Sequence, residues 1–321
     1  MVTSIKTDPL SDVLRVLRLD GAFFYATKAA APWIVESAPA RELRPQILPG
    51  SEHLIAYHIL TEGHCFVRLI GEEPVEMFPG DVIVFPHGDP NVMSSSRDLR
   101  AANVTTSFAK RYPETVVLGG GNPLAASFVC GFLGCDRTPF NPLLASLPRL
   151  LHMRQMPRAW LDAFAGRVTD RSLMGSPGAD GVLTRLAELM FLELLRRYLD
   201  EMPPGQNGWL AGLQDEVVGR ALSLIHDQPG RDWTLETLAS EAYTSRTSLA
   251  KRFTEQVGQP PMQYLTQWRM QLAANRLSQG NAKVAAIARE VGYDSEAAFS
   301  RAFKKTTGLA PGAWRESRRR D

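Results

Sequence analysis

The feature that most constrains this chain is a pattern that occurs twice in its last third, at Leu238–Phe253 and at Ile287–Phe303. Each copy has apolar residues at positions i, i+1 and i+4, then a short turn, then a serine followed by apolar residues four and eight positions later. The two serines, Ser245 and Ser295, lie 50 positions apart. This spacing predicts two helix-turn-helix motifs. Two such motifs, held rigidly, can place their second helices in successive major-groove segments of DNA, about 34 Å apart.

Capping residues and apolar spacing predict the helices of both motifs. Ser245 can cap the second helix of the first motif, and Asp294 or Ser295 can cap the second helix of the second motif. Between the motifs, helical spacing over Met262–Leu277 predicts one long helix that would hold them at a fixed distance. The outward faces of the second helices then carry Arg246, Thr247, Ala250 and Lys251 in the first motif, and Glu296, Ala297, Ser300, Arg301 and Lys304 in the second.

The distribution of charge agrees with a nucleic-acid partner for one end of the chain. The 321 residues carry a net charge of only +2. From Gly230 to Asp321, however, 15 Lys and Arg stand against 9 Asp and Glu, so the rest of the chain is net negative. A basic end on a mildly acidic chain favours a polyanionic partner for that end, although surplus arginine can also form a solvated surface.

The C-terminal third resembles a known family. Ile287–Ser295, Phe299–Lys305, Gly308–Pro311 and the pair Trp314-Arg315 closely resemble the signature of AraC/XylS-type transcription regulators, and the resemblance covers about residues 213–320. The family more often has Thr-Pro and Tyr-Arg where this chain has Ala310-Pro311 and Trp314-Arg315. The resemblance implies sequence-specific binding of double-stranded DNA.

The resemblance and the helix faces together assign roles to the outward side chains. The residues expected to meet base edges are Thr247, Ala250 and Lys251 in the first motif, and Glu296, Ala297, Ser300 and Arg301 in the second. Arg252, Lys304 and Lys305 are expected to meet phosphate, which positions a protein without reading sequence. An alternative for Arg301 is an internal salt bridge to Glu290 or Asp294.

The front of the chain has a different texture. Short apolar or alternating runs, split by Pro and Gly, extend from about Phe23 to Phe132 and predict a β-sandwich or barrel. His58–Gly63 and Pro79–Asp89 resemble a cupin half-barrel, which implies an effector-sensing and dimerising domain. The expected fold class is therefore α+β, with an N-terminal cupin-like β-barrel with helices at 1–200, a linker at 201–213, and an all-α double helix-turn-helix domain at 214–321.

Candidate pocket residues in the front domain are His58, His64, His87, Asn91 and Cys130. Three histidines and a cysteine that converged in a barrel could hold a metal such as Zn²⁺. Enzymatic cupins usually carry His-x-His, which this chain lacks, so we expect no cofactor and no enzymatic activity and leave the metal open. The alternative is a metal-dependent cupin enzyme with a DNA-binding tail.

The three cysteines raise a second alternative, a thiol-based redox-sensing regulator. A sensing thiol must be accessible and ionise readily. Cys130 lies in an apolar run and Cys65 has no special setting, whereas Cys135 is followed by Asp136-Arg137 and is expected to be the more exposed. Buried, inert cysteine is the simpler interpretation.

The remaining expectations concern partners and location. The resemblance implies that the front domain senses a small molecule or chemical stress and that the protein contacts RNA polymerase. We expect an activator, although the sequence does not decide between activator and repressor. A leucine-rich helix at Val182–Leu199 has an apolar stripe wide enough to pack on the barrel or against its copy in a homodimer. Met1–Asp8 lacks the apolar core of a signal peptide and the leucine-rich helix is interrupted by Glu193 and Arg196, so we expect a cytoplasmic protein without a membrane partner.

Overall fold

A computed structural model describes residues 8–16, 19–98, 115–119, 125–136, 139–168, 176–203 and 205–318. Two compact units are distinguished by their internal contacts. The sheet unit comprises Leu19–Asp136 and Leu147–Asp200, and the helical unit comprises Met1–Arg18, Arg137–Ser146 and Glu201–Asp321.

The sheet unit contains two sheets. The six-stranded sheet has the order β10-β6-β3-β9-β1-β8, and the four-stranded sheet has the order β2-β7-β4-β5. Their bounds are β1 Leu19–Ala29, β2 Ile34–Ser37, β3 His53–Gly63, β4 Cys65–Leu69, β5 Val75–Met77, β6 Val82–Phe85, β7 Asn91–Ser94, β8 Val116–Leu118, β9 Ala126–Cys135 and β10 Leu151–Met153. One hydrophobic cluster contains side chains of both sheets, which shows that the sheets pack face to face, as the sequence predicted.

The pairing of β9 with β1 and β3 explains how residues that are distant in the chain meet. In β9, Cys130 lies opposite Tyr25 of β1 on one side and opposite His58 of β3 on the other. Because opposite residues of paired strands point to the same face, this register brings the three side chains to one face of the sheet.

The Pro79-Gly80-Asp81 turn before β6 is held by a buried carboxylate. Oδ2 of Asp81 accepts a hydrogen bond from the Phe78 amide at 3.1 Å and lies 3.0 Å from Nε2 of His152, while its Oδ1 accepts from the Gln155 amide at 3.0 Å. This sequence motif is therefore structural, since Asp81 serves as the partner of its own turn and of the segment after β10.

Three further helices belong mainly to the sheet unit: α2 Ala40–Ile47, α4 Arg158–Val168 and α5 Ala179–Glu201. The last of these confirms the predicted leucine-rich helix. It buries Leu183, Met190 and Leu194, but leaves Val182 and Leu189 exposed.

The helical unit contains the remaining helices: α1 Pro9–Val16, α3 Pro142–Ser146, α6 Trp209–Gln214, α7 Glu216–Asp227, α8 Leu235–Glu241, α9 Arg246–Val257, α10 Pro261–Gln279, α11 Val284–Glu290, α12 Glu296–Thr307 and α13 Pro311–Ser317. The predicted linker, 201–213, is irregular only in part. Within it, Trp209 and Leu210 of α6 are buried, because this short helix packs against α7 and α9.

Two segments from the front part of the chain form hydrogen bonds with α10. The side-chain amide of Asn275 in α10 donates to the Val16 carbonyl at 2.8 Å, and the Phe140 amide donates to Oε1 of Gln271, also in α10, at 2.9 Å. Val13 of α1 is fully buried. These contacts are the reason that both segments are grouped with the helical unit.

No helix in the described part of the chain has the length and apolar character needed to cross a membrane. The N-terminal stretch examined for a signal peptide lies almost entirely outside the described residues, which begin at Asp8.

Candidate nucleic-acid interface and cavity

The two predicted motifs are built alike. Ser245 caps α9 by accepting from the Ser248 amide at 3.1 Å, and Ser295 caps α12 by accepting from the Ala298 amide at 3.4 Å. Each of these helices has 12 residues and ends at a left-handed glycine, Gly258 or Gly308. The sequence duplication is therefore a structural duplication, in which the side-chain oxygen of a serine fixes the start of each outward-facing helix.

The core beneath each helix repeats as well. Phe253 of α9 packs edge-on against Tyr264 at a ring distance of 5.8 Å, and Phe303 of α12 packs in the same way against Trp314 at 5.8 Å. All four rings are buried. Because the inner faces are fixed in this way, the side chains of the opposite faces must point away from the core.

The structure places every residue of the predicted DNA-reading set on that outer surface. Exposed members are Arg246, Thr247, Lys251, Arg252, Glu296, Ala297, Arg301, Lys304 and Lys305, and half-buried members are Ala250 and Ser300. Arg301 occupies in α12 the position that Lys251 occupies in α9. Among the described residues, Glu290 pairs with Arg276 at 2.8 Å, and no ion pair joins Arg301 to Glu290 or Asp294.

Arg252 differs from the other predicted phosphate-binding residues, because it is paired with a carboxylate of the helical unit. Its Nε and Nη2 both lie 2.8 Å from Oδ2 of Asp215, while Oδ1 of Asp215 caps α7 by accepting from the amides of Val217 and Val218. The guanidinium thus ties α9 to the start of α7. The sequence did not suggest Asp215 as a partner, since it lies 37 positions away.

A buried polar chain fixes α6, α7 and α10 beneath the first motif. Nε1 of Trp209 donates to the Tyr264 hydroxyl at 2.7 Å, and that hydroxyl lies 2.7 Å from Nε2 of His226. Burial lowers the pKa of His226 to about 3, so its ring is neutral at pH 7. The neutral ring can accept a hydrogen bond from the Tyr264 hydroxyl. The His226 ring also stacks on Trp268 at 4.2 Å.

In the sheet unit, a cavity of about 30 Å³ lies between the two sheets. Two of the five predicted pocket residues, His58 and Cys130, line it together with Tyr25, Trp33, Met93 and Phe128. The other three are elsewhere. His64 is exposed beside Phe66, His87 is exposed with Nε2 2.9 Å from the Leu147 carbonyl, and Asn91 is buried in β7 with its amide directed to the Asp89 carbonyl.

The placement of these residues bears on the metal that the sequence left open. The four side chains considered as ligands do not converge, because His64 and His87 follow the ends of β3 and β6 and point outward. Throughout the described ranges, no group of three or more His, Cys, Asp and Glu side chains is arranged to hold a metal ion.

The cysteines do not have the setting of a thiol sensor. Cys65, Cys130 and Cys135 are all free and buried, so the expectation that Cys135 is the more exposed was wrong. Cys135 is the last residue of β9 and lies opposite His53 of the neighbouring strand β3. Burial raises the pKa of Cys65, and it raises the pKa of Cys130 to about 12, so both remain thiols at neutral pH.

Comparisons with known proteins agree with both halves of this description. The cupin family profile matches residues 8–200, and the profile described as a helix-turn-helix domain matches residues 238–317. The chain is 32% identical to a putative AraC-like transcription regulator of Streptomyces lividans over 96% of this chain and 98% of that protein. A protein of the same description from Streptomyces antibioticus is 33% identical over 96% and 98%, respectively.

The chain belongs to the AraC-like family of transcription regulators. It is also 26% identical to the HTH-type transcriptional regulator AlkR of Acinetobacter baylyi, over 96% of this chain and 99% of AlkR. The resemblance expected from the C-terminal signature is thus confirmed, and it extends through the cupin-like domain. This AraC-like regulator binds DNA, and α9 and α12 are the outward helices of its two motifs.

Trp33 and Met93 of the cavity were not found by sequence reasoning. Both lie in short segments of the four-stranded sheet without a motif of their own, so no local pattern marks them.

Proposed function

We propose that this regulator reads two half-sites of double-stranded DNA with α9 and α12, and that a small-molecule effector in the cavity of the sheet unit controls its activity. The observation that supports the DNA-reading part is the duplicated surface: two 12-residue helices with matching caps, matching inner faces and outward cations at equivalent positions.

The length of α10 supports simultaneous engagement of two groove segments. Its 19 residues correspond to about 28 Å at the helical rise of 1.5 Å per residue. Successive major-groove faces are about 34 Å apart. A rigid helix of this length between the motifs makes the spacing of α9 and α12 a property of the protein.

The residue roles follow from the faces. We propose that Thr247, Ala250 and Lys251 in α9, and Glu296, Ala297, Ser300 and Arg301 in α12, meet base edges. Lys304 and Lys305, further along α12, meet phosphate. Arg252 is removed from the phosphate set because Asp215 holds it.

The cupin-like domain supplies the response. Its cavity supports effector binding because neither ring nitrogen of His58 has a hydrogen-bond partner among the residues that the structure describes. We propose no enzymatic activity and no resident metal, since the relatives are named as transcription regulators and a convergent ligand set is missing from the described residues.

We also propose that the regulator is a homodimer, and that it contacts RNA polymerase in the cytoplasm as an activator. Val182 and Leu189 of α5 are exposed apolar residues that lie two turns apart on the same face of the helix. This exposed apolar face supports pairing of the helix with its copy. Sedimentation of the full chain tests the dimer, and a monomer at every concentration would contradict it. Transcription in vitro with purified polymerase tests activation.

The experiment for DNA reading compares two cations of α12. Arg301→Ala should cost about 1–3 kcal/mol on the operator and relax discrimination at one base pair, because a guanidinium can donate to O6 and N7 of guanine. Lys304→Ala should weaken binding to operator and scrambled duplex alike, and should reduce the salt slope by about 1. Both are measured by titration of the full chain with labelled duplexes at several salt concentrations.

Arg167→Ala on α4 is the matched control, since it removes one exposed positive charge of the sheet unit and should leave both affinities unchanged. Equal losses on operator and scrambled DNA for Arg301→Ala would refute base reading by this residue. An affinity of the native chain that does not depend on salt would refute the interface as a whole.

A further inference from the structure

The cavity of the sheet unit contains polar groups that the protein itself does not satisfy. His58 and Trp33 are each only 4% exposed, and both line the cavity. Neither ring nitrogen of His58 has a hydrogen-bond partner, and neither has Nε1 of Trp33, among the described residues. An unsatisfied buried donor or acceptor costs about 1–3 kcal/mol, so native proteins pair nearly all of them. Two such side chains around one cavity indicate a ligand that completes them.

The available hydrogen-bonding capacity defines what the ligand must present. The indole N–H of Trp33 can only donate, so it requires an acceptor. A neutral imidazole has one donor and one acceptor nitrogen, so His58 can serve either role. A single hydroxyl or carbonyl oxygen satisfies both requirements, since it can accept from Trp33 and exchange a second hydrogen bond with His58.

The cavity carries no charge that could balance an ion. Among its described lining residues there is no Asp, Glu, Lys or Arg. Burial lowers the pKa of His58 to about 4 and raises the pKa of Cys130 to about 12, so both side chains are neutral at pH 7. An ionised ligand would lose its hydration here without gaining a counter-charge, which is strongly unfavourable.

The remaining walls combine apolar side chains with the hydroxyl-bearing residues Tyr25, Thr27 and Ser37, and the space is small. Met93 and Phe128 face the cavity, and the Trp33 ring packs edge-on against Phe128 at 5.7 Å. One water molecule needs about 10–15 Å³ of space measured in this way, so 30 Å³ admits a compact molecule of a few non-hydrogen atoms. Met93, which is unbranched and adaptable, is one of the lining residues.

We propose that the cavity binds a small neutral alcohol, ketone or aldehyde, whose oxygen is held by Trp33 and His58 and whose short apolar body contacts Met93 and Phe128. This inference rests on the proposed function in one respect, since it takes the cavity to be the effector site.

The test uses a set of nearly isosteric probes on the full chain. Acetone and 2-propanol carry the required oxygen, whereas acetate and isopropylammonium have the same size but a charge. Binding is followed by the ¹H–¹⁵N signal of the Trp33 indole, assigned by its loss in Trp33→Phe. Acetone and 2-propanol should shift this signal saturably, and the charged probes should not. Since affinity is limited to about 1.5 kcal/mol per non-hydrogen atom, dissociation constants of tens of micromolar or weaker are expected.

His58→Phe keeps a ring of similar size and should weaken acetone binding about tenfold, as expected for one lost hydrogen bond. His64→Phe, which changes an exposed histidine outside the cavity, is the matched control and should leave the titration unchanged. Acetate binding as tightly as acetone, acetone binding to His58→Phe as tightly as to the native chain, or no neutral probe binding at any concentration would each overturn the proposal.

DNA binding measured on the same samples separates this proposal from the proposed function. If acetone shifts the Trp33 indole but leaves operator affinity unchanged, the ligand class stands and the effector role falls. If the native chain does not bind DNA, the proposed function fails, while the indole titration still decides the ligand class.

Discussion

The contact between Arg252 and Asp215 can be separated experimentally from a contact between Arg252 and DNA. Asp215 has two roles, since its Oδ1 caps α7 and its Oδ2 holds the Arg252 guanidinium at 2.8 Å. The side chain of Asp215 is 11% exposed and that of Arg252 is 48% exposed, so the pair is partly screened by solvent. An N-cap contributes about 1 kcal/mol, and a half-exposed pair contributes about 0.2–1 kcal/mol.

These magnitudes give distinct expectations for three single variants. Asp215→Ala loses both roles and should lower the free energy of unfolding by about 1.5–2 kcal/mol. Asp215→Asn keeps a good capping side chain and should lose only about 0.2–1 kcal/mol. Arg252→Ala should lose a similar amount to Asp215→Asn. In a double variant that changes both Asp215 and Arg252, the loss of unfolding free energy should be smaller than the sum of the two single losses by about the energy of the pair. A double-mutant cycle measures this coupling energy.

The assay is urea unfolding of the full chain followed by circular dichroism, paired with DNA titration at several salt concentrations. If Asp215 holds Arg252, Arg252→Ala should leave the salt dependence of DNA binding unchanged. If Arg252 instead meets phosphate, its removal should reduce the slope of log affinity against log salt by about 0.9. A coupling energy of zero together with that reduced slope would refute the structural role of Arg252.

Two further predictions concern stability. Gly292 and Gly308 have similar left-handed backbones, with φ of +81° and +80°, but a Cβ at Gly292 would lie 2.7 Å from the Gly230 carbonyl oxygen, whereas the space at Gly308 is open. Gly308→Ala should therefore lower the free energy of unfolding by roughly 1 kcal/mol, and Gly292→Ala by at least twice as much. Urea unfolding compares the two variants, and equal losses would refute the steric argument. Burial lowers the pKa of His226 to about 3, whereas the pKa of an unfolded histidine is about 6.5. Between these pH values the unfolded chain binds a proton that the folded chain does not bind. The free energy of unfolding should therefore fall as pH drops through this range, by up to about 1.4 kcal/mol per pH unit. His226→Gln should flatten this fall in urea midpoints measured from neutral to acidic pH, and an unchanged profile would contradict the neutral ring.

The DNA-reading half of this protein was largely predictable because its signals are local. Serine caps accept from an amide three residues ahead, and an apolar stripe repeats within one or two helical turns, so Ser245 and Ser295 marked the start of α9 and α12 correctly. The outward faces followed from the buried positions of Phe253 and Phe303. The presence of sheets in the front half also followed from local texture, namely short apolar runs separated by turn residues.

The cavity, the ion pairs and the membership of the two units depended on contacts between residues far apart in the chain. His58 and Cys130 meet because β3 and β9 pair in one register, and a shift by one residue would have turned His58 to the opposite face. Trp33 reaches the same cavity from the other sheet. A local pattern shows that a histidine lies on a strand, but only strand pairing decides which face it occupies.

The same reason applies to the two segments that form hydrogen bonds with α10. Nothing within 9–16 or 139–146 indicates that Asn275 and Gln271 of α10 supply their backbone partners, more than 130 positions away. The sequence by itself determined the helices, their caps and their faces, because those interactions close within a turn or two of the chain. Only the tertiary structure decided which side chains share a cavity and which cations are paired within the protein. These contacts join elements that are far apart in the chain, so forming them requires the closure of long loops, and no local sequence pattern indicates them.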